Sequence, residues 1–310
     1  MSSEATKHPR HPNQRDVASL PPELRRTGVP PAVRAWVERH AGVRIVRVRR
    51  LAGASSTAVH GLYAVDGTRL VLRRYVWPGF LDDEPIAPRR EVAALRFGAT
   101  RGLPMPEVVA ADIAGVDIGD GVPALLMSFM PGRALAAPDA HRLAEVAAAI
   151  HATDPNGFDH GYFPWYADTT VAPPAASRWP RLWETAIALW HDAVPEYTPT
   201  FIHRDFHPGN VLWWRVRVSG VVDWANACVG PRGCDVATCC ANLVDLAGDR
   251  AADGFRAAYE SLTGEAVHPY WDMACLLENG ASFWTPREVA ASEPYLARAV
   301  AAQVVLPSRR

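Results

Sequence analysis

The sequence predicts an α+β chain in which a small β-rich part is followed by a larger helical part. Two observations carry this. Before Pro131-Gly132, apolar residues alternate in short runs bounded by turn residues; beyond it they recur at three- and four-residue intervals. At 310 residues there is room for two domains and a large core. The expected division is a mobile tail over 1–30, one domain over 31–130 and a second over 131–310.

The tail is rich in Pro, His, Arg and Ser and lacks apolar periodicity. Pro30-Pro31 opens a helix with Val33, Trp36, Val37 and His40 on one face and Gly42 at its end. Val43 to Leu51 reads as a strand carried by Val46, Val48 and the intervening arginines, with Ile45 out of pattern. A second strand, Val59 to Val65, turns at Asp66-Gly67 into a third, Arg69 to Tyr75. Pro88 to Thr100 reads as a helix, and Ala124 to Met130 as an apolar strand stopped by Pro131-Gly132, the expected hinge. Helices follow over Ala140 to Ala152 and Trp179 to Ala193, separated by a long Pro/Gly-rich loop over 155–177. Further helices are expected near Val236 to Leu246, Gly254 to Leu262, His268 to Leu277 and Pro286 to Val304.

Composition is that of an ordinary globular protein, and a net charge of −1 argues against nucleic acid as a partner. The charge is unevenly divided: residues 1–133 carry 19 Lys/Arg against 13 Asp/Glu, and residues 134–310 carry 13 against 20. Five cysteines without paired C-x-x-C spacing read as small buried hydrophobes in a reducing compartment, in preference to a zinc site or a disulfide framework. No stretch has the length of a signal peptide or a membrane span, so a cytoplasmic monomer or homodimer is expected.

Chemistry concentrates between Phe201 and Asp235. His203-Arg204-Asp205 followed by Asn210 has the HRDxxxxN form of a kinase catalytic loop, and Gly220-Val221-Val222 leads into Asp223 after a short hairpin. In such sites the first Asp orients the attacking hydroxyl, while the Asn and the second Asp hold the metal. Magnesium keeps several waters, so one amide oxygen and one carboxylate suffice as protein ligands. HRDFHPGN and VVDW together resemble the aminoglycoside phosphotransferase family, whose usual first motif is H-G-D-x-H-x-x-N.

The resemblance implies a bilobal, protein-kinase-like fold and transfer of the γ-phosphoryl of ATP or GTP, with Mg2+, to the hydroxyl of a small molecule. It makes Asp205 catalytic, Asn210 and Asp223 metal ligands, and Asp235 a residue that fixes the loop by accepting backbone hydrogen bonds; His207 is structural. Ser55, Ser56 and Thr57 fall where such a fold has its phosphate-covering loop, and Ser128 and Met130 fall where main-chain groups meet the base. The only lysine is Lys7, so Arg73 stands in for the usual phosphate-pairing lysine, with Glu91 as its partner. Asp168, Glu278 and Glu288, with Trp165, Tyr166 and Trp284, are the expected acceptor contacts. Two acceptor classes compete, a cationic antibiotic and a metabolic alcohol of the choline, homoserine or methylthioribose type. A catalytically silent nucleotide-binding module is the alternative from another class.

Overall fold

The structure, a computed structural model of the chain, describes residues 27–51, 54, 56–164, 171–192, 194–278 and 285–305. The expected tail up to residue 26, together with Ser55, Trp165, Tyr166, Asp168 and Trp284, lies outside them. Contacts divide the chain into two compact units: Met1–Pro131 with Gly220–Ala225, and Gly132–Ser219 with Asn226–Arg310.

The first unit contains α1 (Pro31–Ala41), β1 (Ile45–Arg50), β2 (Ala58–Ala64), β3 (Arg69–Arg74), α2 (Pro78–Asp83), α3 (Ala87–Ala99), β4 (Val108–Asp112) and β5 (Ala124–Ser128). The strands form one antiparallel sheet in the order β1-β2-β3-β5-β4, with Val59 opposite Arg73 and Leu72 opposite Leu126. Helix α1 starts with Pro at its first turn, where a missing N–H costs nothing, and ends on a left-handed Gly42. Its buried residues Val33, Trp36 and Val37 pack with Ile45, Leu62, Leu72 and Leu126. Each such side chain contributes about 1.5–3 kcal/mol when fully buried. Trp36 keeps its indole N–H satisfied by donating to Asp117 at 2.7 Å.

Strand β1 departs from expectation. Ile45 is buried in this core, whereas Val46 is 54% exposed. The register shifts between Ile45 and Arg47 against β2, and such a bulge turns the inward residue by one position. The expected helix over 88–100 is α3, whose buried residues Ala87, Glu91, Ala94, Leu95 and Gly98 follow helical spacing. The segment 220–225 is stitched to this unit by Val221 N–H donating to Pro104 O at 2.6 Å and Arg90 Nε donating to Ala225 O at 2.5 Å.

The second unit contains α4 (Ala140–His151), α5 (Pro180–Asp192), β6 (Pro199–Ile202), β7 (Val211–Trp214), most of β8 (Arg217–Val221), β9 (Cys228–Pro231), α6 (Arg232–Ala247), α7 (Asp249–Thr263), α8 (Tyr270–Glu278) and α9 (Pro286–Val305). Helix α4 packs on α7, α7 on α6, α6 on α8 and α8 on α9. Leu143, Ala147 and Ile150 of α4 and Phe255 and Tyr259 of α7 are fully buried. A Cβ at Gly233 would lie 2.1 Å from the Trp271 ring, so the glycine is what lets α8 close on the start of α6. All five cysteines are free and buried, as their spacing suggested, and burial pushes the Cys240 thiol up to about 12. Among the described residues, no helix is long and apolar enough to cross a membrane.

The two-residue ladder Arg133–Trp213 anchors the chain just after Gly132, which sits at φ +117°. A Cβ there would fall 2.5 Å from Trp213 O. Gly132→Ala is therefore expected to lower stability by about 1–3 kcal/mol, the usual cost of a forced backbone conformation. Urea unfolding measures this, and an unchanged midpoint would show that the segment is not constrained.

Candidate active site

The second unit builds a loop in which nearly every group except one carboxylate is committed. Strand β6 pairs with β9, Ile202 opposite Cys228, and delivers His203 to the buried Asp235 in the first turn of α6. His203 N–H donates to Asp235 Oδ2 at 2.8 Å, and His151 Nε2 lies 3.1 Å from the same oxygen. Tyr259 OH is 2.7 Å from His151 Nδ1, so the bracing runs back to α7. Burial pushes the Asp235 carboxyl up, but the His151 hydrogen bond, the neighbouring His151 and His203 rings and the His203 N–H outweigh it and leave it below the usual carboxylate range. Asp235 thus accepts the backbone hydrogen bond that the motif implies.

Asp205 follows. Its N–H donates to His203 Nδ1 at 3.3 Å, and its carbonyl accepts from Asn210 Nδ2 at 3.0 Å. His207 accepts from Gly209 N–H at 3.1 Å and caps the 3-10 turn Pro208–Asn210, which is the structural work expected of it. The Asp205 side chain is 32% exposed, with His207 Nε2 4.0 Å away. Since Asn210 spends its N–H2 on Asp205, the amide oxygen is the atom it has to offer a cation.

Arg204, between these anchors, is a non-glycine residue at φ +69° and is 2% exposed. Its guanidinium donates to Glu278 Oε2 at 2.5 Å and to Phe163 O at 3.2 Å, and lies 5.0 Å from the Tyr162 ring centroid. Tyr162 OH donates to Glu278 Oε1 at 2.9 Å. Glu278, expected from the sequence to face an acceptor, is 3% exposed and occupied by these partners. Glu288 turns back to accept from Thr285 N–H at 2.7 Å and its hydroxyl at 2.8 Å, forming a capping box at the start of α9.

In the first unit, Arg73 is buried with its Nη1 2.5 Å from Asp223 Oδ1 and its Nε 3.5 Å from Glu91 Oε2. Burial opposes the charge, yet the Asp223 and Glu91 carboxylates outweigh it and hold the guanidinium above its ordinary value. Burial pushes Glu91 up despite Arg73, and Tyr75 OH donates to it. Asp223 sits at φ +70°. Arg73 and Glu91 therefore meet, as the resemblance implies, with Asp223 added. Thr57 is buried and Ser56 half-buried. Ser128 N–H donates to Glu107 O at 2.9 Å, so that main-chain donor is taken. Met130 is half-buried against Gly220. Among the described residues no cluster of three or more His, Cys, Asp or Glu could hold a metal ion.

A twisted antiparallel sheet with one main helix, followed by a helical unit carrying a braced HRD loop, defines a protein-kinase-like α+β phosphotransferase architecture. Residues 47–277 match the family model described as the phosphotransferase enzyme family, APH, and the chain belongs to that family. A homoserine kinase from Mesorhizobium japonicum is 30% identical over 161 residues, 46% of this chain and 48% of that protein, so the chain spans about half the length of the curated relatives it matches. The crystal structure of a thermostable mutant of aminoglycoside phosphotransferase APH(4)-Ia in ternary complex with AMP-PNP and hygromycin B is similar with a TM-score of 0.60 at 19% identity, covering 89% of this chain and all of that one. Macrolide 2'-phosphotransferase MphH from Brachybacterium faecium gives 0.56 at 19% identity, covering 90% and 99%. At these identities the likeness to solved structures is one of fold.

Sequence reasoning missed the partners of Arg204 and the His151–Tyr259 brace. One signal exists: Arg204 stands where the family motif usually has Gly, which marks a left-handed backbone position that an arginine must be held in.

Because the Asp235 carboxyl is depressed in the folded state, its contribution to stability is present above the usual carboxylate range and is lost as pH falls through the folded value. Asp235→Asn is expected to lower stability at pH 7 by about 1–3 kcal/mol. The deficit against wild type should shrink below pH of about 4. Melting curves across that window measure it, and a pH-independent deficit would remove the ionised carboxylate from the account.

Proposed function

We propose that the protein is a small-molecule O-phosphotransferase that moves the γ-phosphoryl of ATP or GTP to an acceptor hydroxyl. The observation that supports it most is the loop 203–210, where His203, Arg204 and Asn210 are buried and bonded while the Asp205 carboxylate keeps about a third of its surface. Asp205 accepts the hydrogen bond of the acceptor hydroxyl, orients it and takes its proton as the phosphoryl group transfers. Because that transfer passes through a loose transition state, positioning and charge neutralisation are the main work left to the protein. Arg73 engages the nucleotide phosphates with Glu91 as its counter-charge. Ser56, Thr57 and Ser55 cover the phosphates, and Ser128 and Met130 border the base.

Asn210 and Asp223 fit Mg2+ by their chemistry, an amide oxygen and a carboxylate, both hard oxygen donors. Bound there, the ion would neutralise charge on the phosphate oxygens. The Asp223 side chain is 36% exposed and pairs with Arg73 through Oδ1.

An aminoglycoside-like cationic antibiotic is the first acceptor class, supported by the acidic balance of residues 134–310. An amino alcohol such as homoserine is the second, favoured by the sequence similarity to homoserine kinases. Asp168 and Glu288 are the carboxylates to test against a cationic acceptor, Glu288 being bonded to Thr285 and the expected Glu278 being spent on Arg204 and Tyr162.

Asp205→Ala is expected to fold normally and to lose turnover by about 10²- to 10⁴-fold, with nucleotide affinity nearly unchanged. Steady-state assays with ATP over a panel of aminoglycosides and amino alcohols, L-homoserine included, measure this. Near-normal turnover in the variant would rule the assignment out. Asp223→Asn should shift the magnesium titration of activity to higher concentration and recover only partly, since an anionic ligand is lost; an unchanged titration would take Asp223 out of the metal site.

A further inference from the structure

We propose that Arg204 and Glu278 form a positioning pair for Asp205: Glu278, at the end of α8, holds Arg204 in its left-handed conformation and so fixes the backbone that aims the neighbouring carboxylate. This rests on the assignment of Asp205 as the residue that orients the acceptor hydroxyl.

Four observations in the second unit converge. Arg204 has φ +69°, a conformation that an arginine does not adopt freely and keeps only where its surroundings over-determine it. The side chain is 98% buried, and its guanidinium donates directly to Glu278 Oε2 at 2.5 Å. Glu278 is itself oriented by Tyr162 OH, and Phe163 O accepts from the same guanidinium. Those two residues belong to a loop fastened to β9 on both sides of Gly161: Tyr162 N–H donates to Val229 O at 3.0 Å, and Val229 N–H donates to His160 O at 2.7 Å. The cage around Arg204 is therefore assembled from a helix end and from a loop pinned to the strand that pairs with β6. Burial opposes the Arg204 charge, but Cys234, Glu278 and Tyr162 outweigh it and hold the guanidinium above the ordinary arginine value.

The chemistry follows from rigidity. Asp205 must present one carboxylate oxygen to a hydroxyl within a few tenths of an ångström, and a misplacement of about 1 Å costs about 10²-fold in rate. With Asp205 O held by Asn210 and Asp205 N–H by His203, the ion pair restrains the adjoining backbone at Arg204, from which the Asp205 side chain is aimed. Glu278 acts through Arg204 and does not contact the acceptor.

The test compares glycine and alanine at position 204, alone and with Glu278→Gln, in the full chain. Glycine adopts the left-handed conformation without help, whereas alanine does not. In hydrogen exchange, Arg204→Ala and Glu278→Gln are expected to speed exchange of the Asp205 and Asn210 amides by about tenfold or more, and Arg204→Gly with Glu278→Gln to restore most of the protection. In assays with ATP and either L-homoserine or hygromycin B, Glu278→Gln is expected to lower kcat by about 10²-fold with acceptor KM nearly unchanged, and the glycine double variant to recover at least about tenfold of it. A Glu278→Gln variant that raises acceptor KM at unchanged kcat, with no repair by glycine, would overturn the proposal in favour of direct acceptor contact. Equal exchange in wild type, Arg204→Ala and Arg204→Gly would overturn it as well. If Glu278→Gln does not fold, the contrast between alanine and glycine at 204 decides by itself. Absence of transfer to either acceptor by the wild type would count against the proposed activity, while the exchange measurement would still decide the positioning role.

Discussion

One buried cation organises the first unit. Arg73 sits on a central strand with the Glu91 carboxylate of α3 on one side and Asp223 on the other. A guanidinium with so little exposure is tolerable only if anions replace its water, and breaking such a pair by removing one partner typically costs about 3–5 kcal/mol. The pairing therefore fixes the placement of α3 on the sheet and ties the segment 220–225, distant in sequence, to the rest of the first unit. Arginine performs this with a fork of donors that can serve two carboxylates at once, which a lysine ammonium does less well.

The second unit follows the same rule with the signs reversed. Asp235, fully buried, is compensated by His151 and by the His203 N–H, and it converts the packing of α4, α6 and α7 into a fixed starting point for the loop that carries Asp205. Arg204 and Glu278 repeat the device one residue later. In both units the charged groups that are sequestered serve to hold an acidic side chain that keeps access to solvent: Asp205 at 32% and Asp223 at 36% side-chain exposure. The accessible Asp205 carboxylate amid committed neighbours is what the proposed function rests on.

Much of this was legible in the sequence where the signal is local. Asp66-Gly67 between apolar runs gave the β2–β3 hairpin, Pro31 and Gly42 bounded α1, and the HRDxxxxN spacing with the later Val221-Val222-Asp223 singled out Asp205, Asn210 and Asp223 as candidates. The inward turn of Ile45 was not legible, because a bulge is set by pairing with β2 and leaves no mark on β1 alone. Strands β6 and β9, four residues each, are too short to show a period. Glu278 read as an acceptor contact because its partner lies 74 residues away, and no pattern in one sequence joins Arg204, Tyr162 and α8. Ionic partners across such separations are decided by packing.

The measurement that bears most directly on the central claim is phosphorus NMR of the purified protein with ATP, magnesium and a panel of aminoglycosides and amino alcohols that includes L-homoserine. The account predicts ADP together with a new phosphomonoester resonance for at least one acceptor, growing in step with loss of the γ-phosphoryl signal. ATP left intact across the panel, or converted only to ADP and inorganic phosphate, would contradict it.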